Sequence, residues 1–226
     1  MKSLAIQKLS IPFIGDAFLS DTQAVGSSIR KLGVKTQIDK INWPDYPYQP
    51  SVKLYAGYSG SHLWLLYEVA GDFFRAKALV DQEAVWEDSC VEFFISTDSK
   101  KDQRNLPESN IVYRNFEFNS IGVAFSAVGT KFRREMLAPE EMVHIQRYPS
   151  SKANMVSVEG TEFDWELCVA IPLNLLGIHP GSSFRANFYK CGDLTKRAHF
   201  LSWSPIESKE PDFHLPRFFG EVELML

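Results

Sequence analysis

The chain has 226 residues, a formal net charge of −4 and 45% hydrophobic residues. That apolar content excludes wholesale disorder, and one β-rich domain of this length is ordinary. The local basic cluster Lys131, Arg133 and Arg134 is too short to make a nucleic-acid face, and the apolar runs fall far short of the ~20 residues of a membrane helix.

The cysteines are Cys90, Cys168 and Cys191. An odd count excludes a fully paired disulfide framework, and no two stand at metal-knuckle spacing, so they read as reduced, buried thiols. The N-terminal MKSLAIQKLSIPFIGD has neither a continuous apolar stretch nor a small-residue cleavage site. The compartment therefore stays open between the cytoplasm and export with a leader removed.

In chain order, a short helix is expected between Asp21 and Leu32, starting from an Asp cap. Residues 1–40 read as an N-terminal extension packed on one domain that takes in residues 1–226. Val52–Ala56 and Leu63–Val69 form a hairpin around the turn Tyr58–Ser61. Val91–Ile95 is a third strand, followed by a polar loop over 98–110. Val112–Asn119 is the fourth strand, and Ile121–Ser126 continues it after a bend or opens a fifth. Residues 127–142 read as loop, with one helical turn at Pro139–Met142. Val143–Arg147, Asn154–Val158 and Glu162–Ile171 are further strands. Pro172–Gly177 has Pro at its start and Gly past its end, as a helical turn does. Phe184–Cys191, His199–Trp203 and Phe218–Leu224 complete the set. The pattern predicts an all-β fold: an antiparallel β-sandwich, jelly-roll or immunoglobulin-like, with one or two short helices.

Side chains alternate across a strand, so each strand divides into two faces. Val91, Phe93 and Ile95 read as core, which turns Cys90, Glu92 and Phe94 outward. Phe116 and Phe118 read as core with Arg114 at its margin, which leaves Tyr113, Asn115, Glu117 and Asn119 on the other side. Phe184, Ala186 and Phe188 read inward, and Arg185, Asn187 and Tyr189 outward. Trp86 and Trp203 stand at strand ends. If these strands share one sheet, its outer face carries carboxylates, amides and a guanidinium between aromatic rings. Such groups bond hydroxyls directionally, and flat rings cover the apolar C–H faces of a sugar. A solvated sheet face with no ligand gives the same pattern. Trp165 alternates with Phe163, Leu167 and Val169 and reads as core.

The segment Trp86-Glu-Asp-Ser-Cys-Val-Glu-Phe-Phe-Ile95 resembles the signature strand of family 9 carbohydrate-binding modules, most of all its standalone branch from gut-type bacteria. Ile41–Pro50, Tyr113–Asn119, Phe163–Glu166, Ser202–Pro205 and Pro211–Gly220 resemble further blocks of that family, in the same order. The resemblance implies an antiparallel β-sandwich that binds a mono- or oligosaccharide without cleaving it, in support of polysaccharide breakdown beside a glycoside hydrolase partner. It makes Trp86 and Trp203 the aromatic clamp and Glu92 a hydroxyl-binding carboxylate. Glu117 and Asn119 match the polar strand beside it, and Arg185, Asn187 and Tyr189 join them through the shared face. The stretch from Tyr189 to Phe200 departs from the pattern of xylanase-appended modules, with Phe200 or His199 where a polar residue is expected. Family members also bind structural calcium. Asp98 and Asp102 stand in a loop, but two aspartates among lysines are more often only solvated, so no cofactor is assigned.

The enzymatic alternative is a glycoside hydrolase using Glu92 and Glu117 as its carboxyl pair. Nucleophilic catalysis is weaker: Cys90 has no basic sequence neighbour, and Ser89 is not in a G-x-S-x-G elbow. The histidines at 62, 144, 179, 199 and 214 show no zinc-binding spacing. His214 reads as a packed structural residue. A haem sandwich lacks paired axial ligands, and a protein-interaction domain would use the same aromatic surface.

Overall fold

The structure is a computed structural model and describes residues 6–16, 22–97, 106–151 and 160–226. The alternating segments form two sheets. In the larger sheet β1 (Lys8–Ile11) lies beside β14 (Gly220–Leu224). Next come β12 (Ser183–Cys191), β6 (Cys90–Ser96), β7 (Tyr113–Asn119), β8 (Ala124–Thr130) and β9 (Arg133–Met136). At one end of β12, β13 (Phe200–Ser202) takes the place of β14 and pairs in turn with β3 (Lys40–Ile41). The smaller sheet runs β10 (Gln146–Pro149), β11 (Glu162–Pro172), β5 (His62–Phe73), β4 (Ser51–Tyr58) and β2 (Val34–Gln37). The paired strands are antiparallel except β1 and β14, which are parallel.

The two inner faces make the main core. Val91, Phe93 and Ile95 of β6 meet Leu63, Leu65, Tyr67 and Val69 of β5 in one buried cluster. The Phe93 ring stacks on Phe188 at 5.2 Å and on Phe116 at 6.1 Å. Each such side chain contributes roughly 1.5–3 kcal/mol on burial. Trp165 is in this core, as its alternation predicts. At one end of the sandwich the core holds ions. Lys190 Nζ lies 3.0 Å from Asp72 Oδ2 and 2.8 Å from His199 Nε2, with all three side chains fully buried. Trp165 donates its indole N–H to Asp72 at 3.0 Å.

Helix α1 (Thr22–Leu32) covers the back of the smaller sheet, where Val25 and Ile29 pack against Trp64, Leu66, Cys168 and Ala170. Two further helices, α2 (Pro139–Met142) and α3 (Leu173–Leu176), fall where the sequence predicts helical turns. Gly177 ends α3 in the left-handed region at φ 70°, where a side chain is strained. With α1 they make three helices among the described residues, one more than the upper expectation. None is long and apolar enough to cross a membrane.

Some expectations need correcting. Residues 127–136, read as loop, lie largely in β8 and β9. Strand β9 is Arg-Arg-Glu-Met and exposed throughout, so it carries no alternation to read, as suits a charged sheet edge. Residues 8–11 and 34–37 are strands of the two sheets, so the N-terminal stretch supplies ladder positions as well as cover. The expected strand Asn154–Val158 and the loop aspartates Asp98 and Asp102 lie outside the described residues.

Candidate functional site

The outer face of the larger sheet carries the site. Register puts Tyr189, Glu92, Glu117 and Phe125 in one row across β12, β6, β7 and β8. The next row holds Phe200, Cys191, Cys90 and Asn119. A loop from the C-terminal part of the chain folds over part of this face. Its Phe213 stacks on Tyr189 at 4.1 Å, and its His214 ring lies 5.0 Å from Phe94. Two contacts tie the loop to the hairpin of β8 and β9, one at its turn and one on β9. Lys131 Nζ is 2.6 Å from Asp212, and Arg134 Nη1 is 2.7 Å from His214 Nδ1. What stays open is a pocket of about 310 Å³.

Glu92, Glu117 and Cys191 lie in the pocket floor. Trp86 stands on the 3-10 turn Val85–Glu87 that leads into β6, with its ring edge-on to Phe125 at 5.2 Å. The next two residues hold this turn in place. Asp88 accepts N–H bonds from Lys77 and Ala78 at 2.9 and 3.0 Å, a bond from Asn119 Nδ2 at 3.0 Å and an ion pair from Arg75. Ser89 Oγ accepts from the Arg75 N–H at 3.1 Å. From the other side, the Asp193 and Leu194 N–H groups donate to the Trp86 and Glu87 carbonyls, both at 3.1 Å. Across the floor stands Phe200, backed edge-on by Tyr46 at 4.8 Å and Trp43 at 6.2 Å.

Burial governs the charges. Desolvation, with Cys191 and Glu117 adding to it, lifts Glu92 well above the usual carboxylate range. Desolvation brings Glu117 to about 8, although the amide of Asn115 and the charge of Arg134 pull the other way. Asp193 rises to about 6, from burial and then from Glu87. His214 is pushed down to about 3 by burial and Arg134, so its ring is neutral. The floor thus offers carboxyl groups that donate as well as accept hydrogen bonds.

Of the eight residues singled out from sequence, Trp86, Glu92 and Glu117 line the pocket together. Tyr189 lies beneath its rim, fully buried under Phe213, with its hydroxyl donating to the Phe213 carbonyl at 3.2 Å. Asn119, Asn187 and Arg185 are committed elsewhere. Asn119 ties Asp88 and Ala78 to Val123. Asn187 donates to the Ser204 carbonyl at 3.0 Å and accepts the Ser204 N–H at 2.8 Å. Arg185 donates twice to the Phe219 carbonyl.

Trp203 is the correction that matters most. It is 3% exposed, sits in the core between the sheets, packs edge-on against Phe188 at 5.5 Å and donates to Thr36 Oγ1 at 3.0 Å. It fills its space so closely that a Cβ on Gly220 would come within 2.3 Å of the ring. It therefore stands on the opposite face from Trp86 and walls no part of this pocket. Strand alternation could have found its replacement: Phe200 faces Cys191 across β13 and β12, so Phe200 points out where Trp203 points in. Phe125, Phe213 and His214 had no comparable signal, because a bend or a long-range loop places each of them. His214 is packed, as read, and also lines the pocket.

A larger open cleft of about 910 Å³ lies elsewhere, lined by His62, Arg114, His144 and His179 among others. Among the described residues its lining holds no Phe, Tyr or Trp, so these offer no sugar-stacking wall there.

Comparison with solved structures finds a protein from Bacteroides uniformis, provisionally named as carbohydrate-binding. It is 33% identical, with a TM-score of 0.83 over 97% of this chain and 100% of that one. Two structures of a family 9 carbohydrate-binding module from Caldicellulosiruptor kristjanssonii share the fold. The one in complex with cellotriose is 11% identical, with a TM-score of 0.57 over 97% of this chain and 94% of its own. The one in complex with glucose is 12% identical, with a TM-score of 0.56 over 96% and 95%. A comparison with curated proteins found no match. The model of carbohydrate-binding family 9 matches residues 27–224, nearly the whole sandwich, and the chain belongs to that family.

Proposed function

We propose that the chain is a single non-catalytic module whose pocket holds one end or one unit of a mono- or oligosaccharide. The ring lies between Trp86 with Phe125 on one side and Phe200 on the other, above Glu92 and Glu117. The observation that carries this reading is the pairing of opposed aromatic walls with a floor of buried carboxyl groups, both raised above the usual carboxylate range. Apolar C–H faces pack on the rings, and hydroxyls exchange hydrogen bonds with the carboxyl groups. The volume is at the small end for ligand pockets, which favours a short ligand over a long stretch of polymer. The relatives support a sugar: their names speak of carbohydrate binding, and two of their structures hold cellotriose and glucose. A module of this kind works beside a glycoside hydrolase acting on the same polysaccharide, which is the partner we propose.

The hydrolase alternative fits the geometry poorly. Glu92 and Glu117 are directly opposed neighbours on one face of the sheet. A glycosidase needs its two carboxyl groups on either side of the scissile bond. Here both approach the ligand from below.

Calorimetric titration with a panel of mono- and oligosaccharides, followed by product analysis of the same mixtures, tests the reading. Heat without product is expected. Reducing sugar that appears with wild type and disappears in Glu92→Gln would overturn it.

A further inference from the structure

Cys90 and Cys191 lie far apart in sequence, yet they are direct partners across β6 and β12. Both side chains point to the outer face, as does Glu92 two residues on from Cys90. One ligand atom from each of the three lies within 4.8 Å of the others. Cys191 Sγ donates to Glu92 Oε1 at 3.0 Å. The three residues are 0%, 1% and 2% exposed. Glu92 and Cys191 also line the pocket, so an ion held here would have one side open to it.

We infer that Cys90, Glu92 and Cys191 form a binding site for a thiophilic divalent cation of the zinc type, with its fourth position facing the pocket. The chemistry of the donors sets the class. Two thiolates select zinc-like ions over calcium and magnesium, which take oxygen ligands. Three protein ligands with an open fourth position are the arrangement of a zinc site that also binds a small molecule. Both strands are central in the sheet, so the ligands start from a fixed frame. The Trp86 carbonyl lies 3.6 Å from Cys191 Sγ, which holds the thiol against the turn that carries Trp86. The step is not redox. The cation binds, the two thiols and the carboxyl group release their protons to solvent, and three anionic ligands face a 2+ charge. Sequence spacing hides this set, because strand pairing and not a local motif brings it together.

This inference does not need the sugar reading. The test is anaerobic titration of the purified full chain with Co²⁺ in a thiol-free reductant, followed by absorption. The expected result is a thiolate-to-cobalt charge-transfer band with strong tetrahedral d–d bands. Both should saturate at one ion per chain and be bleached by Zn²⁺. Cys90→Ser and Cys191→Ser should each cut the charge-transfer intensity by about half and weaken zinc binding at least tenfold, since losing even a partner behind a ligand costs about 10–100-fold. Cys168→Ser, on the other sheet, should change neither. If Cys90→Ser does not fold, Cys191→Ala and the wild-type spectrum still decide. A weak octahedral spectrum without charge transfer, or a full signal in both cysteine variants, would overturn the site. Sugar heat that persists in chelator, from a protein with no cobalt spectrum, sinks the ion alone. A cobalt spectrum from a protein silent to every sugar supports the ion and sinks the sugar reading.

Discussion

Trp86 and Trp203 are the same residue at two strand ends of one sheet, and they do opposite things. Trp203 is locked between the sheets against Phe188 and Gly220. Trp86 is half-buried on a turn at the pocket rim, with its ring against Phe125. The inner face of the larger sheet is filled, so changes there cost stability. The outer face carries a pocket, so changes at the residues lining it are expected to cost affinity. Composition cannot separate the two faces; alternation along the strand can.

The largest effect expected is at Trp203. Trp203→Ala removes a fully packed indole and should destabilise the fold by ~3–5 kcal/mol, read from denaturant unfolding. Trp203→Phe should restore much of that loss. In a folded Trp203→Phe protein, sugar affinity should stay within about threefold of wild type, a shift of less than ~1 kcal/mol. A tenfold loss of affinity with unchanged stability would return Trp203 to the binding site.

Protonation separates the two faces less cleanly, because each holds a neutral histidine, fully buried inside and half-buried outside. His199 sits inside with Lys190 and Asp72, and burial first, then Lys190, pushes it down to about 3. His214 sits outside, on the overhanging loop, also at about 3. An unfolded histidine titrates near 6.5. At these two histidines the unfolded chain therefore takes up protons between pH 6.5 and 3 that the folded chain refuses, and their contribution to stability falls as pH falls through that window. The raised carboxyl groups of Glu92, Glu117 and Asp193 act in the opposite direction as pH falls, so the histidine part is read as the difference in denaturant midpoint between wild type and variant against pH. His199→Gln and His214→Gln should each flatten part of the slope. A wild-type slope unchanged in both variants would count against neutral buried histidines.

Asn187 tests how far a polar outward residue belongs to the site. Its amide is spent on Ser204, at the end of β13. Asn187→Ala should cost ~1–3 kcal/mol in stability, because it leaves buried backbone groups unpaired. Sugar affinity should move by less than threefold. A selective loss of affinity would make Asn187 a ligand-binding residue after all.

The central strands β4 to β7, β11 and β12 are legible because each gives alternate apolar residues to the main core, and the face assignments for Val91–Ile95, Tyr113–Asn119 and Phe184–Tyr189 match the clusters observed. Strand β9 was hidden because an exposed edge need not alternate. Glu92, Glu117 and Trp86 are readable as neighbours, since two lie on adjacent strands and one on the turn before them. Asn119, Asn187 and Arg185 share the right face, but alternation says only where a side chain points, not which backbone carbonyl or N–H has already taken it. The pairing of Cys90 with Cys191, and the cover provided by Phe213 and His214, are long-range and leave no local trace.

The smallest effect in energy bears most directly on the second wall. Trp86→Ala and Phe200→Ala should each weaken sugar binding about tenfold, ~1.4 kcal/mol, by removing a stacking face. Trp86 is half-exposed on a turn held by Asp88 and Ser89, so its loss should barely shift the unfolding midpoint. Phe200 is backed by Tyr46 and Trp43, so its loss should cost some stability as well. Phe200→Leu then separates the two effects, because it keeps the apolar bulk against Tyr46 and Trp43 but offers no flat face. If Phe200→Leu binds as poorly as Phe200→Ala, the ring itself is the wall. If it binds as wild type, Phe200 serves only as packing, and the sugar rests on Trp86 and Phe125 alone.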